Sequence, residues 1–197
     1  MKTKIKEAIK ILKNGGLVIF PTETVYGLGA DATNDLAIEK LYKIKNRPIN
    51  NPIICHFKNL KDIEINFEFN DIAYELAKKF WPGPLTLILK KKNNSKVSQL
   101  VSNKHKLVGC RIPNNTIAQE LLNNLDFPIA APSANISTKL STTKISQLSS
   151  NLKKNVFYLD GGDSYYGLES TVVNIIKNKV NILRLGSITY EKLKQII

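Results

Sequence analysis

Short apolar runs recur along this chain, several closed by proline or glycine, and between them lie stretches with helical spacing. A chain that alternates buried strands with amphipathic helices must layer those helices on a sheet, which points to an α/β fold. Thr3 is placed to cap a first helix through Leu12, stopped by Gly15-Gly16. The run Leu17 to Phe20 reads as a strand ending at Pro21, and Asn34 or Asp35 can start a second helix through Ile44. Leu36, Leu41 and Ile44 fall on or near one face of that helix with Ile38 beside it, and Pro48 forbids its continuation. Pro52 to Phe57 reads as a strand; Asn70 caps a helix carrying Ile72, Leu76 and Phe80, closed by Trp81-Pro82-Gly83-Pro84. Strands follow at Leu85 to Leu89 and Leu107 to Ile112 with a lysine-rich loop between them, then a helix at Thr116 to Asn123 and a strand at Pro128 to Ala131. The last strands are Val156 to Leu159, Thr171 to Ile176 and Val180 to Leu185, with a hairpin turn at Lys177-Asn178-Lys179 and a final helix capped by Thr189. The order is mixed rather than strictly repeating, so the sheet should contain parallel and antiparallel pairs. No repeat or linker divides the sequence, and residues 1–197 read as one domain.

Charge narrows the class of partner. With 29 basic and 16 acidic residues the net charge is +13, which favours a nucleotide, RNA or an acidic membrane surface, although lysine-rich drift produces the same figure. No apolar run reaches the roughly 18 residues of a membrane span. The start Met1-Lys2-Thr3-Lys4-Ile5-Lys6 lacks the apolar centre of a signal peptide, so a cytoplasmic protein without membrane contact is expected. Cys55 and Cys110 sit in apolar strand-like contexts without metal spacing and read as reduced core thiols. No carboxylate cluster marks a protein-built metal site.

Only three of the 29 basic residues are arginine, and each lies in a distinct motif-like segment: Arg47 in KNRP, Arg111 in CRIP, Arg184 in LRLG. Where lysine is the default cation, a retained planar fork marks a place to look for carboxylate or phosphate recognition, the alternative being an ordinary surface ion pair. Pro21 to Gly29 leaves a strand with two glycines and three polar side chains, enough to wrap a small ligand closely, or to form an ordinary loop. Its glycine spacing fits neither a dinucleotide fingerprint nor a P-loop. Lys45 and Arg47 stand two residues apart at a helix end and can converge on one phosphate, with His56 closing the strand beyond; a solvated helix end for Lys45 and a satisfied half-buried histidine are the competing readings. Ser133 and Asn135 share one face of an extended segment, although a turn capped by these residues is the competing reading. Ser170 and Arg184 fall near paired positions across the last hairpin.

Taken together, PTETVYGLG, KNRPINNPIICH, PSAN and GLESTVV, in that order, resemble the YrdC-like family of threonylcarbamoyl-AMP synthases, enzymes of the tRNA t6A pathway. The resemblance covers nearly the whole chain. It implies a twisted α/β sheet around a large basic cleft, and condensation of L-threonine, bicarbonate and ATP to threonylcarbamoyl adenylate and pyrophosphate. It places Thr24, His56, Arg111 and Ser170 at threonine-binding positions and Arg47, Asn51, Ser133, Asn135, Thr143 and Arg184 at ATP positions, with Lys45 beside them. Lys45, Arg47, Ser133 and Asn135 are the expected catalytic group. Magnesium would come with the ATP, and the adenylate would pass to tRNA threonylcarbamoyl-transfer proteins. Two departures stand out: Thr138 replaces a common glycine after PSAN, and Leu107 replaces a hydroxyl residue, so that a nucleotide contact there would be through backbone. Because little chain follows Leu185-Gly186, the resemblance is to short members without a C-terminal extension. The rival readings are an RNA-binding module, motivated by Lys90-Lys91-Lys92, and carbamoyl transfer in hydrogenase maturation, which uses a related domain in far longer, cysteine-rich proteins.

Overall fold

The first strand runs beside its own continuation rather than into a helix. The computed structural model, which describes residues 1–135, 140–176 and 178–195, places β1 (Val18–Phe20) antiparallel to β2 (Gly27–Asp31), with Phe20 opposite Gly27 and Val18 opposite Gly29. β2 escapes a pattern search because GLGAD is glycine-rich and buried at every position, with no alternation to read. Those glycines let strands pack closely: a Cβ at Gly29 would lie 2.9 Å from the Phe20 ring and 2.7 Å from Ile129.

The remaining strands are β3 (Cys55–His56), β4 (Phe67–Glu68), β5 (Leu85–Lys91), β6 (Leu107–Arg111), β7 (Ile129–Ala130), β8 (Phe157–Tyr158), β9 (Thr171–Ile176) and β10 (Lys179–Arg184). Their order across the sheet is β10-β9-β5-β6-β3-β7-β2-β1-β8, with β4 added to β5. The pairs β3/β6, β5/β9 and β1/β8 are parallel and the others antiparallel, so the expected mixed sheet is present. Alternation within strands divides the core between two clusters: Ile19 and Ala130 belong to one, Val18, Phe20, Ile129 and Ala131 to the other.

Helices flank the sheet at α1 (Lys2–Lys13), α2 (Asp35–Lys45), α3 (Leu60–Asn66), α4 (Asp71–Phe80), α5 (Thr116–Asn123), α6 (Ser150–Asn155) and α7 (Tyr190–Lys194). Asparagine supplies the caps of four of them, Asn34, Asn59, Asn70 and Asn115 each accepting from backbone amides of the first turn; such a cap contributes about 1 kcal/mol. Two expectations are corrected. Thr3 lies inside α1, whose first turn closes instead on the Met1 carbonyl, accepting from Ile5 N at 3.1 Å. Leu36 is 68 % exposed: five residues before Leu41 places it about 140° around the helix, and Ala37, Ile38, Leu41, Tyr42 and Lys45 form the buried face. The strand foreseen over Pro52 to Phe57 keeps ladder pairing only at Cys55–His56. Thr138 and Lys177 lie outside the described residues.

The β9/β10 hairpin closes tightly at its end. A Cβ on Gly186 would overlap the Glu169 carbonyl oxygen and lie 2.7 Å from the Ser170 carbonyl carbon. Gly186→Ala is therefore expected to destabilise the fold by about 1–3 kcal/mol, read as a lower urea midpoint; an unchanged midpoint would show that the hairpin end yields without cost.

Candidate functional site

Parallel register sets two polar groups side by side in the middle of the sheet: His56 of β3 is the Cα partner of Arg111 of β6. Both are 4 % exposed. Burial of a guanidinium costs several kcal/mol unless its donors are met, and three groups meet them here. Arg111 Nε donates to the Gly83 carbonyl at 3.1 Å, Nη1 to Thr24 Oγ1 at 2.9 Å, and Nη2 stands 2.6 Å from Glu23 Oε1. The last contact is an ion pair without hydrogen-bond alignment: among the described residues Nη2 and both Glu23 oxygens lack an aligned partner. Burial lowers the Arg111 pKa, Glu23 opposes that fall, and the charge of Arg184 adds to it.

Thr24 and Glu23 arrive at Arg111 because the loop between β1 and β2 is folded on itself. Thr22 Oγ1 donates to the Val25 carbonyl at 2.6 Å and accepts from the amides of Thr24 and Val25, both at 3.2 Å. Beyond the loop, Tyr26 N bonds the Thr142 carbonyl and Leu28 N the Pro132 carbonyl, at 2.8 and 2.9 Å, so this segment and the PSAN segment are joined. Gly27 bridges Ser133 directly.

These elements enclose a cavity of about 420 Å³ whose lining includes Thr24, Arg47, Asn51, His56, Arg111, Ser133, Ser170 and Arg184. All three arginines, from segments far apart in sequence, therefore reach one cavity. Arg47 donates from Nε to the Asn51 carbonyl at 3.0 Å and from Nη2 to the Pro52 carbonyl at 2.7 Å. Arg184 donates from Nε to the Ser170 carbonyl at 3.0 Å and from Nη2 to Ser170 Oγ at 3.1 Å, and is ion-paired to Glu169 through Nη1. Glu169 also accepts from Ser141 Oγ at 2.7 Å; burial pushes its pKa up, but Ser141, Arg184 and Ser133 together hold it below the ordinary carboxylate value. Burial lowers the Arg47 pKa, with Arg184 lowering it further. The His56 pKa is pushed down to about 3, first by burial and then by the charge of Arg111, so the imidazole is neutral at ordinary pH. Its Nδ1 meets no hydrogen-bond partner among the described residues, and its ring meets Phe20 edge-on at 5.9 Å.

Three residues expected at the site stand apart from the cavity lining: Lys45, Asn135 and Thr143. Lys45 is 3 % exposed, and its ammonium donates to the Ser133 carbonyl, the Asn135 carbonyl at 2.7 Å and Asn135 Oδ1 at 3.1 Å. It fastens the PSAN turn from behind. Burial brings its pKa down to about 8. Thr143 bonds Gln147 Oε1 through its amide and hydroxyl at 2.8 and 3.0 Å. Leu107, half exposed at the start of β6 opposite Lys90, is likewise absent from the lining. The lysine stretch proves to be strand end rather than free loop: Lys90 pairs Glu68 at 3.0 Å, Lys91 donates to the Val97 carbonyl at 2.7 Å, and Lys92 to the Glu64 carbonyl at 2.6 Å.

Sequence reasoning passed over Glu23, Glu169 and Thr86. The two carboxylates stand inside motifs already singled out, and a buried arginine asks for such counter-charges. Thr86, 0 % exposed and bonded to Ser170 Oγ at 2.7 Å, was signalled as the one hydroxyl in the apolar run LTLIL. The buried Cys55 thiol is pushed up to about 12 by burial and is inert.

The sequence profile grouping Sua5, yciO and yrdC, described as telomere recombination, matches residues 10–186. The chain belongs to the Sua5/yciO/yrdC family. Threonylcarbamoyl-AMP synthase of Bacillus subtilis is 39 % identical over 196 residues, covering 98 % of this chain and 56 % of that protein. The Pyrococcus abyssi threonylcarbamoyl-AMP synthase is 38 % identical over 196 residues, 98 % of this chain and 57 % of its own length. Among solved structures, that of P. abyssi Sua5 complexed with L-threonine superposes with a TM-score of 0.95 at 38 % identity, covering 100 % of this chain and 58 % of the other. This Sua5/yciO/yrdC chain thus spans a little over half the length of these relatives. No helix among its described residues is long and apolar enough to cross a membrane.

A buried neutral His56 leaves a mark on stability. Its folded pKa lies below the unfolded value of 6.5, so between pH 6.5 and about 3 the unfolded chain binds the extra proton and stability falls as pH falls. Denaturant unfolding of wild type and His56→Gln over that window should show the wild type losing more, by up to about 1.4 kcal/mol per pH unit. Parallel pH profiles would mean that His56 accepts a proton in the folded state.

Proposed function

We propose that this chain is a nucleotidyltransferase making threonylcarbamoyl adenylate from L-threonine, bicarbonate and ATP, with release of pyrophosphate. The observation that carries the reading is the meeting of Arg47, Arg111 and Arg184 in one cavity beside Thr24, His56 and Ser170. The reaction must bring two anions together and stabilise charge on phosphoryl oxygens, tasks met by positioned cations rather than by a protein nucleophile.

In this scheme the amine of threonine adds to carbon dioxide with loss of a proton, or condenses with bicarbonate with loss of water, giving a carbamate. A carbamate oxygen then forms a bond to the α-phosphorus of ATP as the bond to the bridging oxygen breaks, and pyrophosphate departs with that electron pair. Arg111, whose fork Gly83, Thr24 and Glu23 engage in the ligand-free chain, holds the amino-acid carboxylate by its charge. Thr24, His56 and Ser170 read the remaining polar groups of threonine. Arg47 and Arg184 face the phosphates, Ser133 and Asn51 hold the nucleotide, and Lys45 and Asn135 keep the PSAN turn in place. Thr143 joins the nucleotide side only if its segment closes over the ligand. Among the described residues no group of three or more His, Cys, Asp or Glu comes together, and Glu169 is engaged by Arg184 and Ser141; magnesium therefore enters with ATP. The scheme treats residues 1–197 as one domain working in the cytoplasm, its product passed to tRNA threonylcarbamoyl-transfer proteins.

Pyrophosphate release is the direct test: it should require ATP, L-threonine and bicarbonate together. Release without threonine points to another adenylation, and RNA binding with no release points to the binding-module alternative. Arg47→Lys keeps the charge but loses the fork that holds the Asn51 and Pro52 carbonyls. It should lower kcat/KM by about 100-fold or more; near-normal adenylate formation would remove Arg47 from the scheme.

A further inference from the structure

Hydroxyl groups at the cavity have a direction that follows from counting protons. A threonine or serine hydroxyl has one proton to donate and two lone pairs to accept with. Thr22 Oγ1 gives its proton to the Val25 carbonyl at 2.6 Å and both lone pairs to the amides of Thr24 and Val25, so its 2.8 Å contact with Thr24 Oγ1 assigns no direction. Thr24 accepts from Arg111 Nη1 at 2.9 Å.

Across the cavity the count does assign a direction. Thr86 on β5 is 0 % exposed, and among the described residues Ser170 Oγ, at 2.7 Å, is its side-chain hydroxyl's hydrogen-bond partner. A buried hydroxyl must place its proton somewhere, so Thr86 donates to Ser170. Ser170 Oγ also accepts from Arg184 Nη2 at 3.1 Å. Both its lone pairs are taken, and its own proton is left for the cavity that it lines.

We propose that Thr86 is a positioning residue that fixes the polarity of one wall of the amino-acid pocket, making Ser170 a donor only. This rests on the proposed reading of the cavity as a threonine site. Ser170 can then meet only an acceptor of the substrate, an oxygen or an unprotonated nitrogen, and so does not read an ammonium. A carboxylate offers such an oxygen, whereas an amide in its place could set N–H against the donor.

Two measurements test the inference. In the first, L-threonine binding to the full chain without ATP is followed by calorimetry. Thr86→Val keeps the shape and removes the donor, and should weaken binding about five- to tenfold; Thr86→Ser should restore it. On a Ser170→Ala background Thr86→Val should add nothing, since Thr86 acts through Ser170, whereas a merely structural role would persist there. Wild-type affinity in folded Thr86→Val, or an undiminished effect in the double variant, overturns the inference. In the second, NMR of the ligand-free wild type needs no variant. The Thr86 hydroxyl proton should exchange slowly and show cross-relaxation to the Ser170 β protons, while that of Ser170 exchanges with solvent. The reverse pattern overturns the assigned polarity whatever the substrate. Failure of wild type to bind L-threonine, with the NMR pattern as expected, would instead sink the threonine reading of the site.

Discussion

A guanidinium buried to 4 % exposure in the middle of the sheet organises much of this molecule. Arg111 cannot stand there unless its donors are occupied, and the occupants come from two other places in the chain: Gly83 before β5, and Thr24 and Glu23 after β1. To deliver Thr24 the β1–β2 loop must curl, and its curl is held by Thr22. The strand that follows zips to Pro132 and Thr142, and Lys45 at the end of α2 then fastens the PSAN turn. One desolvated charge thus ties segments remote in sequence to one wall. Its removal would leave Glu23 buried and uncompensated, a state that costs more than the pair itself contributes.

The same cavity holds charges that repel. Burial first, and to a smaller degree the charge of Arg184, depresses the pKa of both Arg47 and Arg111. Glu23 and Glu169 offset this, but they sit to one side, each bound to its own arginine. On the proposed reading of the site, a phosphate or carboxylate would relieve repulsion the fold itself leaves partly unmet. Local rules broken together in one place are the mark of function rather than of poor packing.

The elements that follow from short-range physics were legible in the sequence. α4 and α5 are bounded by asparagine caps and carry apolar residues at helical spacing, and β5, β6 and β9 are plain apolar runs. β2 was not, because a strand of small residues buried on both faces has no period. Nor were α3 and α6, of seven and six residues, too short for a pattern to accumulate. For the cavity, the family resemblance of the motifs pointed to Thr24, His56, Arg111 and Ser170, and the scarcity of arginine to Arg47, Arg111 and Arg184. The places of Lys45, Asn135 and Thr143 depended on how the PSAN turn sits against α2, which is tertiary packing and invisible to spacing. Glu23 and Thr86 act behind the residues they support, so no motif logic aimed at a ligand would select them.

Why arginine survives at three positions in so lysine-rich a chain has an answer in donor geometry. Each of the three uses Nε to hold a backbone carbonyl: Arg47 that of Asn51, Arg111 that of Gly83, Arg184 that of Ser170. With that edge fixed, the terminal nitrogens are aimed by the planarity of the group, not by side-chain freedom. Lys45 shows the contrast, spending its point charge on a cluster of oxygens behind the turn. A lysine placed at 47, 111 or 184 could take the carbonyl or reach the cavity, but its single nitrogen could not do both in a fixed direction. The demand for both at once is what lysine-rich drift could not erase.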